Sequence, residues 1–421
     1  MKITSVKGMH DVGPPEIALW HRVEKVAREV FENAHFHELR TPPLEEVLLF
    51  TRSVGDTTDI VEKEMYAFED RKGRKLALRP EGTASVVRSY IEHYVGKNEY
   101  DRFYYVGPMF RYERPQKGRY RQFYQIGAEV FGVKHSLVDA EVISLAYEIF
   151  KKLGLQKISL NINSLGCKSC RPSYRKALLD FLEPLTADLC ADCQKRISKN
   201  PLRALDCKNE KCVQLTQNAP SLFENLCEEC LHHFEGVQQG LRKLSIPYEV
   251  NPRMVRGLDY YERTAFEFLS GDLGAQNAVA GGGRYDDLVK DLGGPAVPGI
   301  GFAIGLERLV SLLANQGMSL LSRPRIFLAC LGESAQVWGL EALAQLRRAG
   351  FVTLTDFDSQ SLKHLLKHAD KLNADFAVIV GDNELQSKKI QIKDMKKQEQ
   401  KEVPLDSLIA YFENLFPVKE R

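Results

Sequence analysis

The residues with the greatest chemical reach are arginines set among aromatics. The stretch "FRYERPQKGRYRQF" carries five cations, Arg111, Arg114, Lys117, Arg119 and Arg121, against one acid, Glu113. Arg111 and Glu113 alternate with Phe110 and Tyr112, so the pattern predicts that both leave one face of a strand. An arginine fixed on a strand can clamp a phosphate with both arms and draw charge from a pentavalent phosphorus. A solvated hairpin tip would show the same charge run and do neither. Two more cations stand in notable settings, Arg256 in "RGLDYY" ahead of Tyr260 and Tyr261, and Arg308 in "GFAIGLERL". Arg308 falls at a helix start, after glycines that let a ligand approach the backbone. Taken singly, each also reads as an ordinary surface arginine.

The acids and amides suggest a second half of a site. "LRPEGTASVV" puts Glu81 and Thr83 at a strand-to-helix turn, where Thr83 is expected to cap the helix. "YQIGAEVFG" puts Gln125 and Glu129 four apart on a strand, hence on one face. An amide and a carboxylate there suit a hydrogen-bonding ligand that carries an ammonium; a polar outer sheet face is the alternative. The sequence has no GxxxxGK[ST] loop and no GxGxxG after a first strand. "GGGRYDDL" lacks the context of a dinucleotide fold. Bound ATP would therefore be gripped by arginines on an antiparallel sheet.

Eight of the nine cysteines lie between Cys167 and Cys230 in four close pairs: Cys167/Cys170, Cys190/Cys193, Cys207/Cys212 and Cys227/Cys230. Bulk properties narrow their meaning. The 421 residues exceed one usual core, so two or three domains are expected. Hydrophobic content of 44% and charged content of 27% are those of a soluble globular protein. A net charge of +2 excludes a bulk nucleic-acid-binding signature and leaves polyanions to local patches. No apolar run approaches the ~20 residues that span a bilayer, so no membrane partner is expected. The start, "MKITSVKGMHDVGPPE", lacks an apolar signal core, and a cytoplasmic location is expected. Disulfides do not persist there, which leaves reduced thiols or metal ligands.

The positioning elements follow from periodicity. Residues 16–34 carry Trp20, Val23, Ala27, Val30 and Phe31 at helical spacing. "RFYYVGPMFRYE" and "YRQFYQIGAEVFG" predict two antiparallel strands joined by a polar loop. A helix over 136–153, a strand at "KISLNINSLG" and a mostly helical Cys-rich segment ending near 243 come next. "YEVNPRMVRGLDYYERTAFEFLSG" reads as strands, "NAVAGGGRYDDL" as a glycine turn into a helix, and "GIGFAIGLERLVSLLANQG" as a strand and a long helix. "MSLLSRPR" is a linker. Beyond it, strands at "RIFLACL", "VTLTDF", "FAVIVG" and "KIQIKDM" and helices over 335–349, 360–372 and 405–415 predict a separate α/β domain of about 100 residues.

"FRYE" with its basic loop, "RGLDYY", "GGGRYDDL" and "GFAIGLERL", in this order, resemble the class II aminoacyl-tRNA synthetases, and the "RGLDYY"–"GGGRYDDL" pair resembles the histidyl-tRNA synthetase family. The resemblance spans essentially the whole chain. It implies an α+β catalytic domain on an antiparallel sheet over residues 1–322, interrupted by a mostly helical Cys-rich insertion over 165–243, and an α/β anticodon-binding domain over 325–421. The implied activity is histidine–tRNA ligation. L-Histidine and ATP, the latter with Mg, would give histidyl-adenylate and pyrophosphate, and histidine would pass to the 3′ end of tRNA(His).

By the same resemblance Arg111, Arg256 and Arg308 are the catalytic arginines: Arg111 on the α-phosphate and the histidine carboxylate, Arg256 where other class II members use a divalent ion, and Arg308 on the γ-phosphate. Glu113, Arg119 and Phe123 join Arg111 and Arg308 around ATP. Glu81, Gly82, Thr83, Gln125, Glu129, Tyr260, Tyr261 and Tyr285 form the histidine pocket. Arg114 and Gln116 approach the tRNA acceptor end, and "RTPPLEE" resembles a dimer-interface motif, implying a homodimer. The N-terminal "GMHDVGPPE" departs from the family pattern at His10 and Gly13.

The alternative from another class is a catalytically silent synthetase-like regulatory subunit of histidine biosynthesis; the three arginines and the C-terminal domain argue against it. A zinc-ribbon nucleic-acid-binding protein would explain the cysteines alone. The cysteine segment lies outside every residue given to chemistry, so its metal would be structural zinc. Cys167/Cys170 with Cys190/Cys193 have four-thiolate spacing, the other pairs are looser, and four pairs can combine into two sites in three ways. Reduced thiols packed as small hydrophobes remain the other reading. In the C-terminal domain "KKIQIKDMKKQEQK" sets six lysines against two acids, which suits a phosphate backbone or a solvated hairpin.

Overall fold

The computed structural model describes residues 2–417, except 56, 57, 59, 98, 100, 117, 208, 256, 274–276, 317–323 and 360. Arg256 and Lys117, and most of the "MSLLSRPR" segment, lie outside the described residues. The chain divides into two compact units, Met1–Met318 and Ser319–Arg421.

The first unit is organised by an eight-stranded sheet. Its order is His37–Glu38, Arg102–Phe110, Gln122–Phe131, Gly299–Gly305, Ala278–Arg284, Glu262–Leu269, Ser159–Ser164, Glu249–Val250. The six central strands pair antiparallel, and each short edge strand pairs parallel to its neighbour. The β-branched and aromatic content of "RFYYVGPMF" and "QFYQIGAEVF" drives the central pair. The helix Ile17–Asn33 buries Trp20, Val23, Ala27, Val30 and Phe31 as its periodicity requires. Among these, Trp20 meets Tyr124 edge-on at 5.1 Å.

Four sequence expectations are corrected. The strand before the basic loop ends at Phe110; Arg111 continues its ladder only through its N–H to the Arg121 carbonyl at 2.9 Å. The segment after Val250 is not strand until Glu262, because Asn251, Pro252 and the glycine of "RGLDYY" favour turns. The glycines of "AVAGGGR" do not form a turn: they lie inside the strand Ala278–Arg284, where a side chain at Gly282 would meet the Gly301 carbonyl at 2.2 Å. Thr83 does not cap its helix; Glu81 does, accepting from the Thr83 and Ala84 N–H groups at 2.7 and 2.8 Å.

The Cys-rich segment is helical, with α-helices Arg171–Leu182, Ala191–Lys199, Glu210–Leu215 and Glu228–Lys243. The last of these is anchored to the sheet by a buried polar knot. Asp139 accepts from Arg284 Nε at 3.1 Å and from Thr264 Oγ1 at 2.5 Å, and bonds His233 Nε2 at 2.8 Å.

The second unit is a five-stranded sheet in the order Val352–Thr355, Arg325–Cys330, Phe376–Val380, Lys389–Asp394, Gln400–Pro404. The first three strands are parallel and the last two add antiparallel. Helices Glu333–Arg348 and Leu362–Lys371 bury apolar faces against opposite sides. The last two strands form a hairpin, so the lysine run is one, and its Lys389 and Lys396 pair with Glu402 and Asp375. No helix among the described residues is long and apolar enough to cross a membrane.

Candidate active site

One cavity of about 490 Å³ opens on the central sheet of the first unit. It gathers Glu81, Thr83, Arg111, Glu113, Arg119, Phe123, Gln125, Tyr260, Tyr261 and Arg308 from segments far apart in sequence. The site has a cationic end and a polar buried end.

At the cationic end Arg111 is held by the Pro80 carbonyl, with its Nε donating at 2.9 Å. Its guanidinium lies 5.1 Å from the centre of the Phe123 ring. Arg119 Nη1 is 2.9 Å from Glu113 Oε2. Arg308, third residue of the helix Leu306–Asn315, donates to the carbonyls of Gly118 and Ala278 at 3.3 and 2.5 Å. Burial and the nearby Arg119 charge hold the Arg308 guanidinium below its ordinary range. Arg111 and Arg119 lie against Glu113, and Arg308 feels the charges of Glu113 and Glu267, so three fixed guanidinium groups converge at this end in a way suited to a polyphosphate.

At the other end buried groups are left open. Gln125 Oε1 and the Tyr260 hydroxyl are buried and, among the described residues, have no hydrogen-bond partner. Buried polar atoms are normally paired, so two orphans on one wall mark where a polar ligand would sit. Glu81, 3% exposed, shares that wall. Burial pushes its carboxyl above the ordinary range, against the pull of the two backbone N–H groups and Arg111.

Glu129 and Tyr285 do not line the cavity. They stand one layer behind it: Thr83 Oγ1 donates to Glu129 Oε1 at 2.7 Å, and the Tyr285 hydroxyl donates to Glu129 Oε2. Burial pushes the Glu129 carboxyl up to about 8, and its two hydrogen bonds only moderate the rise. Two glycines make this layer possible. A side chain at Gly301 would meet Glu129 Oε2 at 1.7 Å, and one at Gly82 would meet the Tyr105 ring at 2.3 Å.

Arg114 and Gln116 are exposed on the loop rather than in the cavity; Gln116 bridges Arg119 through two backbone hydrogen bonds. Glu267, Asn277 and Glu307 line the cavity and were not singled out by sequence. The signal was present: Glu267 interrupts the apolar run "TAFEFL". Glu307, in "GLERL", accepts from the Tyr124 N–H at 2.8 Å, and burial pushes it to about 7.

The cysteines fall into two groups, Cys167, Cys170, Cys227 and Cys230, and Cys190, Cys193, Cys207 and Cys212, each with its sulfurs within 4.8 Å of one another. This corrects the grouping that spacing suggested: Cys167/Cys170 meets the distant Cys227/Cys230, not Cys190/Cys193. All nine cysteines are free of disulfides.

An antiparallel sheet with helices on it and a cavity lined by arginines, in a sequence without a phosphate loop, fit the class II aminoacyl-tRNA synthetases. Comparison narrows the class. A family model described as histidyl-tRNA synthetase matches residues 8–309, and one described as anticodon binding domain matches 326–415. The chain belongs to the histidyl-tRNA synthetase family. It is 51% identical over 408 residues to a histidine–tRNA ligase of Trichlorobacter lovleyi, with 97% of each chain covered. It is likewise 51% identical over 404 residues to that of Geobacter sulfurreducens, covering 96% of this chain and 97% of the relative. The crystal structure of apo S. aureus histidyl-tRNA synthetase superposes with a TM-score of 0.82 at 36% identity, covering 98% of this chain and 100% of that one.

Proposed function

We propose that this chain charges tRNA(His) with histidine in two steps at the cavity on the central sheet. The histidine carboxylate attacks the α-phosphorus of ATP, the bond to the β-phosphate oxygen breaks, and pyrophosphate leaves. The 3′-terminal ribose hydroxyl of tRNA then takes the acyl group and AMP departs. The observation that carries this reading is the pairing of ends in one cavity: unsatisfied Gln125 and Tyr260 with buried Glu81 on one side, and Arg111, Arg119 and Arg308 on the other.

In this reading Arg111 bridges the histidine carboxylate and the α-phosphate, and Arg308 takes the γ-phosphate. Glu113, Arg119 and Phe123 hold the remainder of ATP. Arg256 supplies a further positive charge at the reacting phosphorus. Catalysis then consists of positioning and charge stabilisation, which needs no protein nucleophile. Glu81, Thr83, Gln125, Tyr260 and Tyr261 contact histidine, with Gly82, Glu129 and Tyr285 shaping the wall from behind. Such a pocket rejects analogues that lack the donors, because its polar groups would then stay unpaired. ATP enters as its magnesium complex, to which Glu267 and Asn277 on the cavity lining would supply oxygen ligands.

The assignments around the site follow suit. Arg114 and Gln116 are exposed where the acceptor end must approach. The domains run 1–322, with the insertion at 165–243, and 325–421, the latter reading the anticodon. Leu44, Leu48 and Phe68 are exposed around the "RTPPLEE" strand, an apolar surface suited to a second copy in a homodimer. The cysteine groups suit zinc, and the enzyme works in the cytoplasm. A silent regulatory role is not favoured, since the cavity keeps its arginines. ATP–pyrophosphate exchange driven by histidine tests the reading; no exchange with pure protein would sink it.

A further inference from the structure

We propose that the insertion holds two zinc ions in separate four-thiolate sites and that these brace the segment 257–263, which carries two tyrosines of the histidine wall. The proposal rests on the zinc reading above and assigns it a task. In a tetrahedral site with Zn–S near 2.3 Å the sulfurs stand roughly 3.8 Å apart. Here Cys167 Sγ lies 3.6 Å from Cys170 Sγ and 3.9 Å from Cys227 Sγ, and Cys190 Sγ lies 3.8 Å from Cys207 Sγ. Backbone N–H groups point at the sulfurs: Cys227 N at Cys170 Sγ, 3.1 Å, and Cys190 N at Cys212 Sγ, 3.2 Å. Such donors stabilise thiolate, and each thiol gives up its proton on ligation. Packing as small hydrophobes explains the sites poorly, since half of the eight thiols are only partly buried. Four protein ligands leave no open position, so the metals are structural.

The first site ties both ends of the insertion to the sheet strand Glu262–Leu269. Beside Cys167, Leu165 N donates to the Arg263 carbonyl at 2.6 Å, and Arg263 N donates to the Gly166 carbonyl at 2.9 Å. Between Cys227 and Cys230, Glu229 accepts from Arg263 Nη2 at 2.7 Å. Arg263 has φ +50°, a left-handed conformation that a non-glycine residue adopts only when its surroundings impose it. Arg171, next to Cys170, donates to the Tyr261 carbonyl. The second site grips the same segment further toward its start. Between Cys193 and Cys207, Asn200 Nδ2 donates to Asp259 Oδ1 at 3.1 Å, and Arg203 Nη2 to the Gly257 carbonyl at 3.0 Å. A cavity of about 690 Å³ lies between these partners, lined by Arg171, Asn200, Arg203 and Tyr261. These polar bridges add to an apolar cluster that Tyr261, Leu258 and Tyr260 share with insertion residues such as Tyr174 and Leu178, and the positions of the bridges depend on the folded metal sites.

Metal analysis of the reduced protein, cobalt substitution and exchange kinetics test this together. Two zinc ions per chain are expected, falling to one in the C227S/C230S and C207S/C212S variants, with tetrahedral thiolate bands on cobalt substitution. Each double variant should raise KM for histidine by about tenfold or more while KM for ATP moves little. Arg203→Ala should raise KM for histidine while keeping both zinc ions, so the bracing stays testable if a double variant fails to fold. Less than one zinc per chain, or iron in its place, overturns the zinc reading. Two zinc ions with histidine KM unchanged in Arg203→Ala and in the folded double variants overturn the bracing alone.

Discussion

Thr83 donates its hydroxyl to Glu129 at 2.7 Å, joining the first residue of a helix to a carboxylate wholly buried in the sheet. Through this bond the helix Thr83–His93 is registered on the strand that carries Gln125. The wall facing the ligand is thus set by a layer the ligand does not touch.

That layer makes ligand binding pH-dependent. Burial pushes Glu81 up and Glu129 to about 8. A cationic ligand favours their ionised forms, so binding releases protons and affinity rises with pH below about 8, for as long as the ligand keeps its ammonium. Calorimetry of histidine binding near neutral pH in buffers of different ionisation heat should show proton release, reduced in Glu129→Gln. Proton uptake would contradict the assignment.

Arg111 should be intolerant of substitution. Arg111→Ala is expected to slow adenylate formation by about 2.7–4 kcal/mol of transition-state stabilisation, as for other preorganised donors. Arg111→Lys should recover little, since an ammonium cannot span two acceptors as the planar fork does. Single-turnover pyrophosphate release measures both.

Gly301→Ala tests the glycine beneath the acid. Its new methyl would lie 1.7 Å from Glu129 Oε2 and 2.5 Å from the Ala128 carbonyl, and the backbone contact cannot swing aside. A loss of about 1–3 kcal/mol in denaturant unfolding and weaker histidine binding are expected. Wild-type values for both would show that the layer has room.

The knot at Asp139 predicts a larger stability effect. Burial alone would push Asp139 up, but the His233 hydrogen bond and the Arg284 charge hold it below the usual carboxylate range. An acid so lowered stabilises the fold at neutral pH and ceases to as pH falls through its folded value. Asp139→Asn removes one of the two carboxylates that pair with buried Arg284, leaving Asp286 at 3.0 Å, and should cost roughly 3 kcal/mol, the low end for breaking a buried pair. Urea unfolding at neutral pH checks it.

Removing residues 325–421 should abolish or greatly weaken tRNA charging while adenylate formation survives in part. Unchanged charging would remove the anticodon role from that domain.

Much of this was legible in the chain. Helical periodicity placed the helix Ile17–Asn33, which buries one regular face, and aromatic and β-branched content placed the central strand pair, which is buried on both faces. The second unit's alternation was legible too, except the short helix Asp382–Ser387 and the edge strand Gln400–Pro404, whose polar residues leave no apolar period to read. The "AVAGGGR" strand was missed because glycine signals turns locally, whereas here close strand approach demands it. In the site, the residue types were legible but not their depth: nothing in "YQIGAEVFG" says that Gln125 reaches the cavity while Glu129 stands behind Thr83. The cysteine grouping was hidden because first pair meets last only through the intervening helices.

ATP–pyrophosphate exchange measured with each amino acid in turn tests the central claim most directly. Exchange dependent on histidine alone, and lost in Arg111→Ala, is the expected result. No exchange with any amino acid, or exchange supported by another as well as by histidine, would contradict it.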